Sequence, residues 1–283
     1  MPTKGKTGLR EIAPGVYAMV TSIIGPDGGG PHGGFIVAGD KVIVIDAFIT
    51  MTAARELLSQ IKSVTKKEPS YLIYTHSHGD HIVGARVFCP PAVAIAQENA
   101  REEMLKEGRA GIERMMQMRP QLAPYMKGAE VVLPDITFCH QMSLCFGNRQ
   151  IELIWVGPAH SNGDILVYLP KEKVLFAGDL LFDHVCPPLR GSSAGWIDAI
   201  SFVEELDVKH YVPGHGFISN KKELGDMKRF LRHLRREVKK CYDQKIPKKK
   251  VAEAINLGEF KNWGRLERLP DATAFIYDEF ASH

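Results

Sequence analysis

Long apolar runs are missing from this chain. None approaches the roughly 18 residues that a membrane-spanning helix needs, which argues against a span. Cysteine is scarce: Cys89, Cys139, Cys145, Cys186 and Cys241 are five in number and form no CxxC pair. An odd, unclustered set argues against a disulfide framework and reads as reduced, mostly buried thiols in a cytosolic protein. Excess charge of either sign is absent too. Lys and Arg total 36 against 33 Asp and Glu, a net +3 that does not by itself imply a nucleic-acid partner. Met1 to Arg10 is basic but is followed by no apolar segment, so no signal peptide is expected and the protein is placed in the cytoplasm. There is no internal repeat of fixed period and no low-complexity tract. What remains is 283 residues, 45% hydrophobic and 24% charged, ordinary for a globular protein. That length suffices for one large or two small domains with a substantial core.

Within this ordinary composition one stretch stands out. His76 to His81 reads His-Ser-His-Gly-Asp-His, and four of its six side chains can bind a metal. Tyr71 to Thr75 before it is aromatic and β-branched and predicts a strand; Ile82 to Phe88 after it can open a helix. The cluster therefore sits on a short turn at the C-terminal edge of a sheet. Imidazole nitrogens and a carboxylate oxygen suit zinc, iron or manganese.

The rest of the chain alternates strands and helices. Val16 to Ile24 reads as a strand, and Gly25 to Gly34 as a glycine-rich loop whose His32 lacks a partner at ligand spacing. Phe35–Ala38 and Val42–Asp46 form a hairpin over Gly39-Asp40, the second strand apolar on both faces as in a sheet covered on both sides. Asp46 at its end is either a helix cap or a group that steadies the metal loop from behind, the second being preferred. Thr52 to Val64 has helical spacing, Val93 to Ala96 is a short strand, and Gln97–Gly108 with Ile112–Met118 reads as helix. Met104, Met115, Met116 and Met118 there read as core filler, with a pocket wall as the alternative. Strands are expected over Val131–Cys139, Met142–Phe146, Gln150–Val156, Ile165–Leu169 and Val174–Ala177, a helix over Trp196–Leu206, and a strand then loop over His210–Gly216. From Lys221 onward the pattern is helical. Leu224, Met227, Phe230, Leu231, Leu234 and Val238 mark its apolar stripe, and Lys228 to Lys240 its basic face, which reads as solvated rather than as an anion or RNA surface.

His160, Asp179 and His215 repeat the setting of the first cluster, each expected at the end of an apolar strand beside glycine. The remaining histidines, His140, His184, His210, His233 and His283, lack it. His76, His78, Asp80, His81, His160, Asp179 and His215 together exceed the needs of one tetrahedral ion. They fit two ions with one shared carboxylate, an arrangement that lowers the pKa of water from 15.7 towards about 7.

Thr75-His-Ser-His-Gly-Asp-His81, Gly157-Pro-Ala-His160, Phe176-Ala-Gly-Asp179 and Pro213-Gly-His215-Gly, in that order, resemble the successive motifs of the metallo-β-lactamase superfamily and span most of residues 16–217. The resemblance implies an α/β protein: an αββα four-layer sandwich with a dinuclear site at one edge, here followed by a C-terminal helical segment. It implies one domain over 1–283, with the motifs in 16–217 and a helical extension over 221–283. It also implies that His76, His78 and His160 hold a first ion and Asp80, His81 and His215 a second. Asp179 would bridge them, with Asp46 behind. Departures narrow the branch. Flavodiiron members usually place Glu where His78 stands, and β-lactamases place Cys or Ser where Asp179 stands. The full set is most similar to glyoxalase II-like and quinoprotein-relay-type hydrolases, the latter also through Gly195-Trp196-Ile197 and Trp263 to Pro270.

Two divalent ions, zinc first and iron or manganese as alternatives, are the expected cofactors. The expected chemistry is attack by a metal-bound hydroxide on an ester, thioester, lactone or amide, with Asp80 orienting the nucleophile's proton and β-lactams at most a side activity. A phosphodiesterase or ribonuclease on the same fold, supported by the basic helix alone, and a mononuclear iron dioxygenase of the persulfide type are the alternatives. A small-molecule substrate is expected, with no membrane partner and nucleic acid disfavoured. Specificity is expected in loops 25–34, 98–130 and 183–195.

Overall fold

Alternation of large apolar side chains explains the architecture of the computed structural model, which describes residues 8–21, 31–216 and 218–282. The elements in chain order are β1 (Gly8–Ala13), β2 (Val16–Val20), β3 (Gly33–Ala38), β4 (Lys41–Ile45), α1 (Met51–Val64), β5 (Pro69–Ile73), α2 (Gly79–Ile82), β6 (Val93–Gln97), α3 (Glu98–Met118), β7 (Ile136–Phe138), β8 (Gln141–Phe146), β9 (Arg149–Trp155), β10 (Ile165–Leu169), β11 (Val174–Phe182), α4 (Ser193–Glu205), β12 (His210–His215), α5 (Lys221–Asp243), α6 (Val251–Ala254) and α7 (Leu269–Ala281). Short 3-10 turns join several of them. Strands β1 to β7 form one sheet in sequence order, and β12-β11-β10-β9-β8 form a second.

In β4, Ile43 and Ile45 point one way and Val42 and Val44 the other. The first pair packs with Val167, Leu169 and Phe176 of the second sheet. The second pair packs with Ala54, Leu57 and Ile61 of α1. The second sheet repeats the device. Leu153, Val167 and Val174 face the first sheet. Leu166, Leu175 and Tyr211 face α4, α5 and α7, among Trp196, Phe230 and Ile276. Two sheets face to face with helices outside each make the αββα sandwich, and strands covered on both faces must be apolar throughout.

The C-terminal helices complete the second outer layer. Helix α5 starts at a capping box, in which the Asn220 side chain accepts from Lys222 N at 2.8 Å and Glu223 accepts from Asn220 N at 3.2 Å. Its buried stripe is the expected one, and its basic face is largely paired: Lys228 with Glu204, Arg229 with Asp226 and Glu259, Arg235 with Glu279, Lys239 with Asp243. Glu279 of α7 also accepts from Ser192 Oγ and Ser193 N, which ties the tail to the start of α4. No helix among the described residues is long and apolar enough to cross a membrane.

Three expectations are corrected. Val131–Cys139 is a strand only over Ile136–Phe138, because Leu133 and its neighbours instead pack under β5 and α1. The helix expected from Trp196 starts at Ser193, where the Ser192 hydroxyl accepts from Gly195 N at 3.1 Å. Strand β11 runs on to Phe182, so Asp179 lies within a strand and not at its end. Of the strand expected over Val16–Ile24, residues beyond Thr21 lie outside the described ones, as does most of the glycine-rich loop after it.

Trp196 is fully buried, and its indole N–H donates to the Leu180 carbonyl at 2.9 Å. It wedges α4 against β11. Trp196→Ala removes that packing and leaves a cavity, and should cost about 3–5 kcal/mol in urea unfolding. A loss below about 1 kcal/mol would show that the α4 layer packs independently of this wedge.

Candidate metal centre

Short segments at the same edge of both sheets deliver the seven side chains. His76 and His78 follow β5, Asp80 and His81 lie on α2, His160 follows β9, Asp179 is inside β11 and His215 ends β12. His81 is thus on a helical turn rather than a strand end. Asp179 reaches the edge through an irregularity: pairing of β11 with β12 slips on either side of Gly178, whose φ is +51°. A side chain at Gly178 would be strained and would strike Thr75 Oγ1 at 2.7 Å. Gly214 on the neighbouring strand must also be glycine, because a Cβ there would overlap the Asp179 carboxylate.

The donor atoms fall into two groups, His76, His78, His160 and Asp179 in one and Asp80, His81 and His215 in the other, each with its atoms within 4.8 Å of one another. Asp179 joins them. Its Oδ2 lies 3.2 Å from His160 Nε2 and 3.7 Å from His76 Nε2. Its Oδ1 lies 3.1 Å from His81 Nε2 and 3.4 Å from His215 Nε2. His215 Nε2 is also 3.3 Å from Asp80 Oδ2.

The outer ring nitrogens are held, which fixes the inner ones. His160 Nδ1 is 3.0 Å from the Pro188 carbonyl, which can only accept, so Nδ1 carries a proton and donates there. Asp46 accepts from Thr75 N at 2.8 Å and from Thr75 Oγ1 at 2.8 Å, and faces His81 Nδ1 at 2.8 Å. The Thr75 hydroxyl, having spent its proton on Asp46, accepts from His76 Nδ1 at 3.1 Å. Asp46 turns back to do this with a φ of 58°, a left-handed conformation that Asp tolerates better than most residues. It therefore holds Thr75 and His81 from behind the cluster and caps no helix; Thr50 caps α1.

These residues fit divalent cations. His76 Nε2, His81 Nε2 and Asp179 Oδ1 are buried without a hydrogen-bond partner, an expensive arrangement unless a cation joins them. His78 Nδ1 and His160 Nε2 point at each other across 2.8 Å. Burial, followed by the charge of His81, holds His76 well below the ordinary imidazole value, and burial with His160 brings His78 to about 3, so both lone pairs are free near neutral pH. Burial opposes charge on Asp179, but His215, His81 and His160 outweigh it and keep the carboxylate ionised.

His32 does not join the centre. Thr21 N donates to its Nδ1 at 3.2 Å and its Nε2 donates to the Gly216 carbonyl at 2.5 Å, so both nitrogens are used. His140 meets Trp155 edge-to-face and is not among the clustered donors. Sequence reading passed over Asp164, which accepts from Ser161 N and Ser161 Oγ at 2.7 Å each and shapes the turn carrying His160; burial raises it to about 6. Its only sequence signal was Ser-Asn-Gly-Asp, a turn pattern. A cavity of about 490 Å³ opens over the cluster, lined by Asp80, Asp179 and His215 on one side and by α3 on the other. Met104, Met115 and Met118 line it, so these methionines wall a pocket; Met104 and Met115 also pack into the core, whereas Met118 is exposed.

The sequence model described as the Metallo-beta-lactamase superfamily matches residues 27–215. The 2,4-dinitroanisole O-demethylase subunit alpha of Nocardioides sp. is 25% identical over 66% of this chain and 53% of its own length. A type 2 metallo-beta-lactamase of Bacillus cereus is 24% identical over 69% of each chain. In fold, the chain is similar to a stereoselective inverting sec-alkylsulfatase from Pseudomonas sp., with a TM-score of 0.74 and 17% identity over 97% of this chain and 50% of that one. The chain thus spans about half the length of the demethylase subunit and of the sulfatase.

Cation uptake should release protons. Burial disfavours charge on His81 and His215, but Asp179 reverses this in both, carrying His81 well above its ordinary value and His215 to about 9. Without a cation both rings are protonated at pH 7, whereas His76 and His78 are not. The raised values stabilise the metal-free protein below about 6.5, and that contribution fades as pH climbs through about 9. Zinc titration by calorimetry in buffers of different ionisation enthalpy should show about two protons released at pH 7, and affinity for the second ion should fall with pH. Uptake of two ions with no proton release would contradict the assignment.

Proposed function

Because the chain belongs to the metallo-β-lactamase superfamily, we propose that it is a hydrolase with a dinuclear centre. In this reading zinc occupies both positions, with iron or manganese as substitutes. His76, His78 and His160 would hold one ion, Asp80, His81 and His215 the other, with Asp179 shared between them. The observation that carries the reading is the division of the Asp179 carboxylate, with Oδ2 towards one group of imidazoles and Oδ1 towards the other.

Bound there, the ions would supply charge that acidifies a water towards about pH 7 and polarises the group under attack. The protein's own residues do the rest. Asp179 stays ionised at 3% exposure and keeps both positions anionic. Asp80 is the most open of the cluster's carboxylates, 20% exposed, and lines the cavity, where it can hold the proton of the attacking water. Phe182 stacks on His215 at 5.1 Å and Trp196 closes on His160 at 5.3 Å, which keeps water out from behind the ligands. Pro188, Asp46 and Thr75 fix the ring orientations, so little reorganisation is left for the reaction.

The substrate is read as a small ester, thioester, lactone or amide in the cytoplasm. An O-demethylase, a β-lactamase and an alkylsulfatase among the similar proteins share no single substrate, so the likeness supports the metal chemistry and leaves the pocket to this chain. Asp at 179, where β-lactamases carry Cys or Ser, makes β-lactam turnover a side activity. The phosphodiesterase alternative loses its support because the basic face of α5 is largely neutralised by Glu204, Asp226, Glu259, Glu279 and Asp243.

Asp179→Asn keeps the size and removes the charge. On a panel of ester, thioester, lactone, β-lactam and phosphodiester substrates it should lower the best wild-type activity by about 100-fold or more and weaken retention of both ions. Normal metal content with unchanged turnover would remove Asp179 from the centre and the dinuclear reading with it.

A further inference from the structure

The cavity over the metal centre is lined by five cations and four carboxylates, and their pairing is unequal. Asp80 and Asp179 face the imidazoles of the cluster. Glu103 accepts from Ser77 and from Asn162, and Glu107 pairs with Arg114. The remaining cations, Lys106, Arg119, Arg190 and Arg268, have no carboxylate within ion-pair distance among the described residues. A cleft whose acids are all committed and four of whose five cations are not is electrostatically open to an anion.

Arg268 is placed for that role. It comes from the tail, just before α7, and is partly buried on the cavity wall. One N–H donates to the Cys186 carbonyl at 3.2 Å, which anchors the head group and leaves the other donors of the fork unassigned. A half-buried guanidinium without a counter-ion is costly, and a ligand oxyanion would offset that cost. Burial, followed by the charge of Arg265, disfavours its charged form, while Asp179 and Asp80 favour it, so the group is within electrostatic reach of the metal centre. Arg190 is exposed on the same wall, and its charge acts on His78. Helix α3 adds an apolar strip of Met104, Ile112, Met115 and Met118 to the lining, beside its charged Glu103, Lys106, Glu107 and Arg114, with Met118 75% exposed.

We infer that the substrate is an amphiphilic anion, its carboxylate or sulfate-type oxyanion held by Arg268 and Arg190 and its apolar body lying along the methionine wall of α3. This rests on the hydrolase reading for its reaction but not for its binding, so binding is the test. Zinc-loaded protein is titrated calorimetrically with octanoate, octanesulfonate, octanol and octylammonium, none of which needs to be turned over. Both anions should bind at least about 10-fold more tightly than octanol, and octylammonium should bind weakest. The tighter of the two anions identifies the head group. Arg268→Gln should weaken both anions about 10-fold or more, with metal content and octanol affinity unchanged, and Arg268→Lys should recover only part of the loss. Arg190→Gln, at an exposed position, gives the same reading if the first variant folds poorly. Anion affinity undiminished in both Gln variants would mean that the ions alone hold the anion, and equal affinity for octanol would mean that charge is not recognised; either overturns the inference. Absence of turnover on the ester panel would instead count against the hydrolase reading and leave these affinities standing.

Discussion

Asp179 is a carboxylate at 3% exposure surrounded by His76, His81, His160 and His215, and most of the site is arranged to tolerate it. A charge so far from water costs several kcal/mol unless opposite charge meets it. Each of its oxygens faces its own pair of imidazoles. The slip of β11 against β12, the left-handed Gly178 and the bare Gly214 all exist where Asp179 must be turned inward. A strand of regular pleat would send that side chain into the sandwich or away from the edge.

Around this point the support is layered. Asp46 gathers Thr75 and His81, Pro188 fixes His160, and Asp164 shapes the loop between them. The tail takes part. Glu279 on α7 holds Ser192 and Ser193, and Ser192 N in turn donates to the Ala159 carbonyl at 2.8 Å, next to His160. The segment beyond residue 215, outside the family match, therefore braces a ligand loop and also places Arg268 on the cavity wall. Strands and the short turns after them bring the candidate donors together, and α3 and the tail line the cavity over them.

Much of this was legible in the residues. Apolar strands separated by helical spacing gave the alternation of strands and helices, because strands covered on both faces have no freedom to be polar, and the resemblance to the metallo-β-lactamase superfamily implied the sandwich. The histidine run and the later His160, Asp179 and His215 marked one sheet edge. The misses have physical causes. Val131, Val132 and Leu133 are β-branched or apolar, as strand residues are, yet they serve as a packed loop under the first sheet, and burial alone does not distinguish the two. The bulge at Gly178 was hidden because a glycine before an aspartate reads as a turn that ends a strand. His32 was rightly set aside, but its hydrogen bonds to Thr21 and Gly216 depend on a contact nearly two hundred positions away in sequence. Arg268 was invisible as a pocket residue because an arginine in a charged tail has an ordinary surface role until the fold brings it beside Asp80 and Asp179.

The central claim is that two cations sit on either side of one carboxylate. Anomalous diffraction at the zinc edge from crystals of zinc-loaded protein measures this most directly. The account predicts two peaks about 3.5–4 Å apart, one nearest Asp179 Oδ2 with His76, His78 and His160, the other nearest Oδ1 with Asp80, His81 and His215. A single peak at saturating zinc, with His81 and His215 unliganded, would contradict it.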